Sequence, residues 1–208
     1  MPTVLITGAN RGLGLEFARQ YATSGWRVIA TSRAPEKADA LHALGQRVSV
    51  HRLDVADLAA VAAFGRALAA ATIDVLIANA GIAGARDMTA ETVPAGAEAW
   101  ERTLRVNAIA PLALAGAFHA PVARSEQRKM VAITSRLGSM GANSDGGLYA
   151  YRSSKAALNA VWRSFALDHP DVIAALLHPG WVRTDMGGAG ALLDPEQSVA
   201  GLRRVIAG

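Results

Sequence analysis

The sequence of 208 residues has a formal charge of +4, is 51% hydrophobic and 18% charged, and contains no cysteine. These values exclude a disordered or fibrous chain, and without cysteine neither a disulfide nor a thiolate metal site can form. The pI is near 10.0, yet the basic residues are spread along the chain without interleaved aromatic residues, so we expect no nucleic-acid partner.

The beginning of the chain and its histidines set further expectations. Met1 and Pro2 lead directly into an apolar run without a basic segment, so we expect no secretory signal and a cytoplasmic protein. No apolar run approaches the length of a membrane span, so no membrane partner is expected.

The five histidines never take an H-x-x-x-H spacing, which argues against a metal site. The length is typical of a single domain, residues 1–208.

Short segments rich in β-branched residues alternate with alanine- and leucine-rich segments along the chain. This alternation predicts an α/β fold, a doubly wound parallel sheet of the Rossmann type with helices on both faces and six or seven strands. Strands are predicted at residues 3–7, 27–31, 48–52, 73–79, 129–134 and 172–177. Helices are predicted at residues 12–24, 35–44, 57–70, 100–123 and 150–168, with a last helix starting at Asp194. We expect ligands to bind in the crevice where the carboxyl ends of these strands meet.

A glycine-rich turn follows the first predicted strand and precedes the first predicted helix. Glycine allows a tight turn and a close approach of the backbone to a pyrophosphate, which a helix N-terminus stabilises. The turn reads T-G-x-x-x-G-x-G, and a purely structural tight turn would also explain it. Its candidate cofactor-binding residues are Gly8, Asn10, Arg11, Gly12, Leu13 and Gly14.

The end of the second predicted strand indicates which dinucleotide is bound. An acidic residue there would favour NAD, whereas a cation accommodates the 2′-phosphate of NADP. The residues present are Thr31, Ser32 and Arg33, and Arg11 in the glycine turn can reach the same region. Arginine pairs well with phosphate oxygens, so NADP(H) is predicted in preference to NAD(H). The alternative is that both arginines are merely exposed.

Two short segments at later strand ends are further cofactor candidates. Asp54 could accept a hydrogen bond from the adenine amino group while Val55 packs on the ring. Small residues after the fourth strand would let a flat ring and a ribose approach the backbone, namely Asn79, Ala80 and Gly81. Either segment could equally be a turn or a helix cap.

Tyr151 and Lys155 stand at positions i and i+4 of a predicted helix, so their side chains share one face. An adjacent ammonium stabilises a phenolate, and we therefore expect Lys155 to lower the pKa of Tyr151. Such a tyrosine can exchange a proton near neutral pH. Taken alone, the pair could also be an ordinary surface pair on an amphipathic helix.

These segments together resemble the short-chain dehydrogenase/reductase family. The resemblance rests on T-G-x-x-x-G-x-G, Asp54, the N-A-G tripeptide, Asn107, Ser135, Tyr151-x-x-x-Lys155 and Pro179-Gly180, in the family's order from Thr7 to Thr184. Residues 133–139 and 146–152 are similar to the C-factor-like branch, some of whose members are carbonyl reductases and one a signalling protein.

The resemblance implies a role for each of four catalytic candidates. Ser135 would donate a hydrogen bond to the substrate oxygen, Tyr151 would supply the proton, and Lys155 would hold the nicotinamide ribose. Asn107 would bind a water linked to Lys155, although an asparagine in mid-helix is often simply exposed. Three neighbours compete for these roles or lie beside them: Thr134, Ser139 and Tyr149.

The segment after the sixth strand is expected to pass over the nicotinamide. Its candidate cofactor contacts are Pro179, Gly180, Val182 and Thr184, and residues 187–193 read as a short lid. Trp181 and Met186 are the candidate substrate-pocket residues, together with Leu192 and Leu193, although all four could be ordinary packing residues.

The function that this resemblance implies is an NADPH-dependent reduction of a ketone or aldehyde to an alcohol, which could also run in reverse. The alternative is a dinucleotide-binding signalling or interaction protein with little turnover. A homo-oligomer, most simply a homodimer formed through the helices after strands four and five, is expected from the resemblance.

Overall fold

All six strands of the computed structural model, which describes residues 1–208, belong to one parallel sheet. The strand order is β3-β2-β1-β4-β5-β6. Leu5 in the centre of the sheet lies opposite Ile29 on one side and Leu76 on the other. The strands are β1 (Thr3–Ile6), β2 (Arg27–Ser32), β3 (Val48–Arg52), β4 (Val75–Ala78), β5 (Lys129–Ile133) and β6 (Ile173–Leu177).

Helices cover both faces of the sheet. They are α1 (Gly12–Thr23), α2 (Asp39–His42), α3 (Leu58–Ala67), α4 (Val93–Leu104), α5 (Ala110–Ala123), α6 (Tyr149–Asp168) and α7 (Pro195–Ala207). Phe17 of α1 and Leu202 of α7 lie in the core on one face, and Phe118 of α5 and Trp162 of α6 lie in the core on the other. Because both faces are covered, the central strands are apolar throughout rather than alternating.

The predicted Rossmann-type fold is confirmed, and the strand limits agree with the prediction to within about two residues. The prediction of one helix over residues 35–44 is wrong. That segment is a 3₁₀ turn, Pro35–Lys37, followed by the single turn α2. The two are separated by Ala38, whose φ of −101° and ψ of 46° are not helical. No seventh strand follows β6, so the sheet has six strands.

The long helix predicted at residues 100–123 begins earlier and is interrupted. It starts at Val93, with Pro94 in the first turn where a missing N–H costs nothing. A π-helical turn, Arg105–Ile109, separates α4 from α5 and contains the buried Asn107. Such turns are rare and occur frequently at functional sites.

The combined helical segment Val93–Ala123 is long and apolar enough to cross a membrane by length and composition alone. The expectation that no apolar run approaches such a length is therefore wrong for this segment. In the structure 56% of its most apolar window is buried. Leu114, Phe118 and Val122 pack in the core on one face of the sheet. The segment is apolar because its side chains form part of this core.

The chain order in the sheet reverses between β1 and β4, which is where open α/β sheets form a crevice. The glycine turn after β1, the N-A-G segment after β4 and the N-terminal half of α6 all line this crevice. The topology thus brings residues from distant parts of the chain to one edge of the sheet.

Candidate active site

Lys155 is fixed by β5 at the bottom of the crevice. Its side chain is only 6% exposed, and its Nζ donates a hydrogen bond of 2.7 Å to the main-chain oxygen of Ile133. Gly138 allows this approach, since a Cβ there would lie 2.8 Å from the main-chain carbon of Lys155. The same Nζ lies 5.9 Å from the ring centroid of Tyr151, as expected for residues one turn apart.

The two groups of this pair have shifted pKa values. Burial lowers the pKa of Lys155 to about 8, because a buried ammonium loses its hydration. Burial also raises the pKa of Tyr151, and the neighbouring Ser135 hydroxyl and the Arg86 guanidinium oppose that rise. The expectation that Lys155 would lower the pKa of Tyr151 is therefore wrong for the protein alone, in which burial is the largest influence on the phenol.

Three hydroxyl side chains follow β5 near the phenol, and of these Thr134 lines the crevice whereas Ser135 and Ser139 do not. Ser135 lies two residues after the end of β5 in an extended conformation and accepts a hydrogen bond from the N–H of Leu137, 3.1 Å away. Thr134 donates instead to Asn159, at 2.6 Å, and the exposed Ser139 accepts from the N–H of Ala142, at 3.3 Å. Of the three hydroxyls, only that of Ser135 acts on Tyr151.

The competing phenol is displaced from this arrangement. Tyr149 is the first residue of α6 and is 44% exposed. It does not line the crevice, whereas Tyr151 does. The position of Tyr151 beside Lys155 and Ser135 makes it the phenol that can exchange a proton with a ligand in the crevice.

Asn107 is completely buried, and its amide is already engaged. Its Nδ2 donates to the main-chain oxygen of Ile82 at 2.8 Å and to the Ser154 hydroxyl at 3.0 Å, while its Oδ1 accepts from the Ile82 N–H at 2.9 Å. The side chain thus joins the π-helical turn, the segment after β4 and α6. One lone pair of Oδ1 is left without a partner within the protein.

The glycine turn is held in contact with the end of β4. Gly8 has a φ of 63°, and Gly14 packs so closely that a Cβ would lie 2.3 Å from the Gly8 oxygen. Asn79 donates from Nδ2 to the oxygens of Thr7 and Gly8, at 2.9 and 3.2 Å. Asn79 therefore positions the turn, and the buried Thr7 hydroxyl accepts from the N–H groups of Asn79 and Ala80.

The N-terminus of α1 faces the crevice without a capping side chain. Arg11 occupies the N-cap position but its side chain makes no capping hydrogen bond, and the first turn contains no acidic residue. Gly12 adds no side chain between these N–H groups and the space in front of them, and its φ of 55° suits glycine. Free N–H groups at the positive end of a helix fit a pyrophosphate, so the residues present fit a dinucleotide.

The arginines near the end of β2 differ in their partners. Arg33 is exposed at the crevice and its guanidinium makes no ion pair, although its main-chain oxygen accepts from Arg52. Arg11 also lines the crevice, but its guanidinium pairs with Asp185 on the segment after β6. Asp54 lines the crevice beside them and accepts a hydrogen bond from the N–H of Ala56.

The segment after β6 contributes only part of the residues predicted for it. Pro179, Thr184 and Met186 line the crevice, whereas Gly180 and the buried Val182 do not. Trp181 is 55% exposed, lies outside the crevice, and donates its indole N–H to the Gly187 oxygen at 2.9 Å. The prediction of Trp181 as a pocket residue is therefore not supported, because its indole folds onto the segment itself.

Several residues at the site were not expected from the sequence. Arg86 acts on the Tyr151 phenol and donates a hydrogen bond to the Met186 oxygen. Arg102 of α4 also lines the crevice, although it belongs to none of the motifs. Neither arginine has a sequence signal, since isolated arginines are common on surfaces. Thr7 had one, because it begins the glycine-turn motif.

The sequence is similar to known proteins over most of its length. The family model described as short chain dehydrogenase matches residues 2–191. C-signal from Myxococcus xanthus is 43% identical over 148 residues, which cover 70% of this chain and 87% of C-signal.

Solved structures are similar over the full length. A carbonyl reductase from Pseudomonas aeruginosa PAO1 in complex with NADP is 34% identical with a TM-score of 0.85, covering 100% of this chain and 91% of that one. An NADPH-bound carbonyl reductase from chicken fatty liver is 29% identical with a TM-score of 0.86, covering 100% of this chain and 92% of that one.

Proposed function

This chain belongs to the short-chain dehydrogenase family of oxidoreductases, and on that premise we propose that it reduces a ketone or aldehyde to an alcohol with NADPH. The observation that carries the proposal is that Tyr151 and the buried Lys155 line the crevice in front of the glycine turn, with the Ser135 hydroxyl acting on the Tyr151 phenol. Residues 1–208 would act as one dinucleotide-binding domain.

The chemistry divides between the cofactor and the chain. When bound, a nicotinamide would supply a hydride to the carbonyl carbon, and the carbonyl oxygen would then gain negative charge. The Ser135 hydroxyl would donate a hydrogen bond to that oxygen, and Tyr151 would transfer its phenolic proton to it. In the reverse direction the Tyr151 phenolate would accept the proton of the alcohol.

Tyr151 must regain its proton after each turnover, and the buried residues beneath it offer a route. A Cβ built on Gly81 would lie 3.3 Å from Asn107 Oδ1 and 3.9 Å from Lys155 Nζ, so both atoms border the same small space. A water placed there could accept from Lys155 and donate to the free lone pair of Asn107. This refines the expected role of Asn107, whose amide N–H groups are both occupied by Ile82 and Ser154.

The preference for NADP(H) over NAD(H) is part of the proposal. It is supported by the unpaired guanidinium of Arg33 at the crevice and by the absence of an acidic side chain at the end of β2. The NADP and NADPH bound by two similar carbonyl reductases are consistent with it. Arg11 would contact the 2′-phosphate together with Arg33 only after its ion pair with Asp185 breaks, because that pair engages its guanidinium group.

The experiment that tests the proposal is a panel of ketones and aldehydes assayed by the loss of NADPH absorbance. We expect turnover of at least one carbonyl compound by the wild-type protein and a rate lower by at least about a hundredfold in Tyr151→Phe. NADPH binding without turnover across a wide panel would contradict the proposal and favour the alternative below.

The alternative is a dinucleotide-binding protein that acts through interaction or signalling, and the 43% identity to C-signal is the observation in its favour. The two functions differ in what they require of Tyr151, since a binder does not need the phenol. A biological effect retained by Tyr151→Phe would support the alternative. We further propose that the protein is cytoplasmic and needs neither a nucleic acid nor a membrane as a partner. We also propose that it forms a homodimer through the surfaces of α4, α5 and α6. Light scattering of the purified protein tests whether it is a dimer.

A further inference from the structure

A second cluster of chemically active side chains lies far from the crevice. His119 is near the end of α5, His169 follows the last residue of α6, and Asp171 precedes β6. The crevice is at the carboxyl ends of the strands, whereas this cluster lies beside the amino end of β6. No residue of the cluster lines the crevice.

The three side chains converge closely. His119 Nε2 lies 3.1 Å from Asp171 Oδ1 and 3.0 Å from Asp171 Oδ2. The rings of His119 and His169 have centroids 4.3 Å apart. One potential ligand atom from each of the three residues lies within 4.8 Å of the other two.

We propose that His119, His169 and Asp171 form a binding site for one divalent transition-metal ion, with Zn²⁺ as the best-matched ion. Two imidazoles and a carboxylate, with water in the fourth position, form a common tetrahedral zinc ligand set. Bonds of about 2.0–2.2 Å place neighbouring tetrahedral ligands about 3.4 Å apart, close to the observed separation of His119 and Asp171. The ion would replace the proton of the hydrogen bond that His119 Nε2 donates to Asp171.

The surroundings favour a cation at this position. Phe165 packs against both imidazoles, with ring centroids 4.4 Å from His169 and 6.3 Å from His119, and so restrains their orientation. The site lies at the C-terminal end of α6, where the helix dipole stabilises positive charge. The side chain of His119 is 26% exposed and that of Asp171 49%, which leaves one side open to water as the remaining ligand.

The absence of an H-x-x-x-H spacing argued against a metal site, yet it excludes only sites built on one helix. His119 and Asp171 are 52 positions apart, and only the packing of α5 against α6 brings them together. An ion held here would join the ends of α5 and α6 to the start of β6. We therefore expect it to stabilise the fold and to leave turnover in the distant crevice unchanged.

Two measurements test the proposal on the full chain, purified without a polyhistidine tag, with ZnCl₂ alone. In isothermal titration calorimetry we expect the wild type to bind one ion per chain. In thermal unfolding we expect the midpoint to rise by roughly 5–10 °C when the zinc concentration is a hundredfold above the dissociation constant. His169→Gln and Asp171→Asn should each weaken binding at least about tenfold, the loss that even an outer-shell partner causes.

His42→Gln is the matched control, because His42 is an exposed histidine bonded to the Pro35 oxygen and far from the cluster in sequence. It should bind Zn²⁺ as the wild type does. Substitution of Co²⁺ gives an independent readout, since visible absorption typical of four-coordinate Co²⁺ should appear in the wild type and be lost in Asp171→Asn. Absence of zinc binding by the wild type, or equal binding by His169→Gln and Asp171→Asn, would overturn the proposal.

Discussion

The ammonium of Lys155 and the main-chain oxygen of Ile133 are joined by a buried hydrogen bond of 2.7 Å. This bond ties the N-terminal half of α6 to the last residue of β5. Lys155 is therefore held in place by the protein itself, and the phenol of Tyr151 is positioned by the same helix.

Replacing Tyr151 with phenylalanine removes the proposed proton donor and little else. We expect kcat for carbonyl reduction to fall about 10²–10⁴-fold, the usual contribution of a positioned general acid. NADPH binding, measured by fluorescence titration, should be retained. Tyr149→Phe is the matched control, because Tyr149 is exposed and outside the crevice, and it should keep nearly full activity. Equal activity of the two variants would refute the assignment of Tyr151.

Arg33→Asp places a carboxylate where the 2′-phosphate of NADPH is proposed to bind. Loss of a charged hydrogen bond costs about 1.5–3 kcal/mol, so kcat/KM for NADPH should drop at least about tenfold while that for NADH stays the same or rises. Arg47→Asp changes the same charge at an exposed position away from the crevice and should not alter the ratio. An unchanged NADPH/NADH ratio in Arg33→Asp would rule out the phosphate contact.

Asp185 holds Arg11 by an ion pair whose two side chains are 66% and 74% exposed. Asp185→Asn should free Arg11 for the 2′-phosphate and strengthen NADPH binding a few-fold, since exposed pairs contribute only about 0.2–1 kcal/mol. NADH binding should not change, because it lacks that phosphate. Asp145→Asn, in an exposed loop, is the control for loss of a negative charge. An equal increase in affinity for NADPH and for NADH would mean that the substitution does not act through the 2′-phosphate.

The pKa of Lys155, lowered by burial to about 8, predicts a pH dependence of activity. If the ammonium form is needed for ribose binding and proton supply, kcat/KM should decline as the pH rises through about 8. Lys155→Met should weaken cofactor binding and lower the rate, and its remaining activity should lack this decline. A loss of rate with unchanged NADPH affinity would mean that Lys155 does not hold the ribose.

The same shift affects stability. Between pH 8 and 10.5 the unfolded chain binds the Lys155 proton more tightly than the folded protein does, so this residue's contribution to the free energy of unfolding rises with pH. Its full size is on the order of 3 kcal/mol. Urea unfolding at pH 7.5 and 9.5 should therefore show that the free energy of unfolding of the wild type, relative to that of Lys155→Met, is greater at the higher pH. A relative stability that does not rise with pH would contradict the lowered pKa.

Alanine substitutions at two glycines, Gly14 and Gly116, should change the free energy of unfolding in opposite directions. In Gly14→Ala the new Cβ would lie 2.3 Å from the Gly8 oxygen and 2.6 Å from Asn79 Nδ2, so we expect a loss of about 1–3 kcal/mol or more. Gly116 is at an exposed position of α5, where a new Cβ would have no atom within 4 Å. Because alanine favours a helix more than glycine does, Gly116→Ala should raise the free energy of unfolding by up to about 1 kcal/mol. Chemical denaturation measures both changes, and similar values for the two would contradict the packing of the glycine turn.

The local pattern of the sequence predicted the strands well because each is short, apolar and buried on both faces. It predicted the segment 35–44 poorly, since the break at Ala38 has no local signal stronger than the helix formers around it. The sequence pattern predicts that this helix starts at Trp100, whereas α4 starts at Val93, because its first turn is poor in apolar residues that follow a helical period. The π-helical turn at Asn107 was not predicted, since it depends on contacts with Ile82 and Ser154.

The sequence by itself determined the order of strands and helices, the glycine turn and the spacing of Tyr151 and Lys155, because these depend on neighbours a few positions apart. Only the tertiary structure decided which hydroxyl acts on the phenol, that Arg11 pairs with Asp185, and that Trp181 points away from the crevice. It also reversed the expected shift of the Tyr151 pKa. The physical reason is that burial, hydrogen-bond partners and charge neighbours come from residues distant in sequence, and these set the chemistry of each side chain.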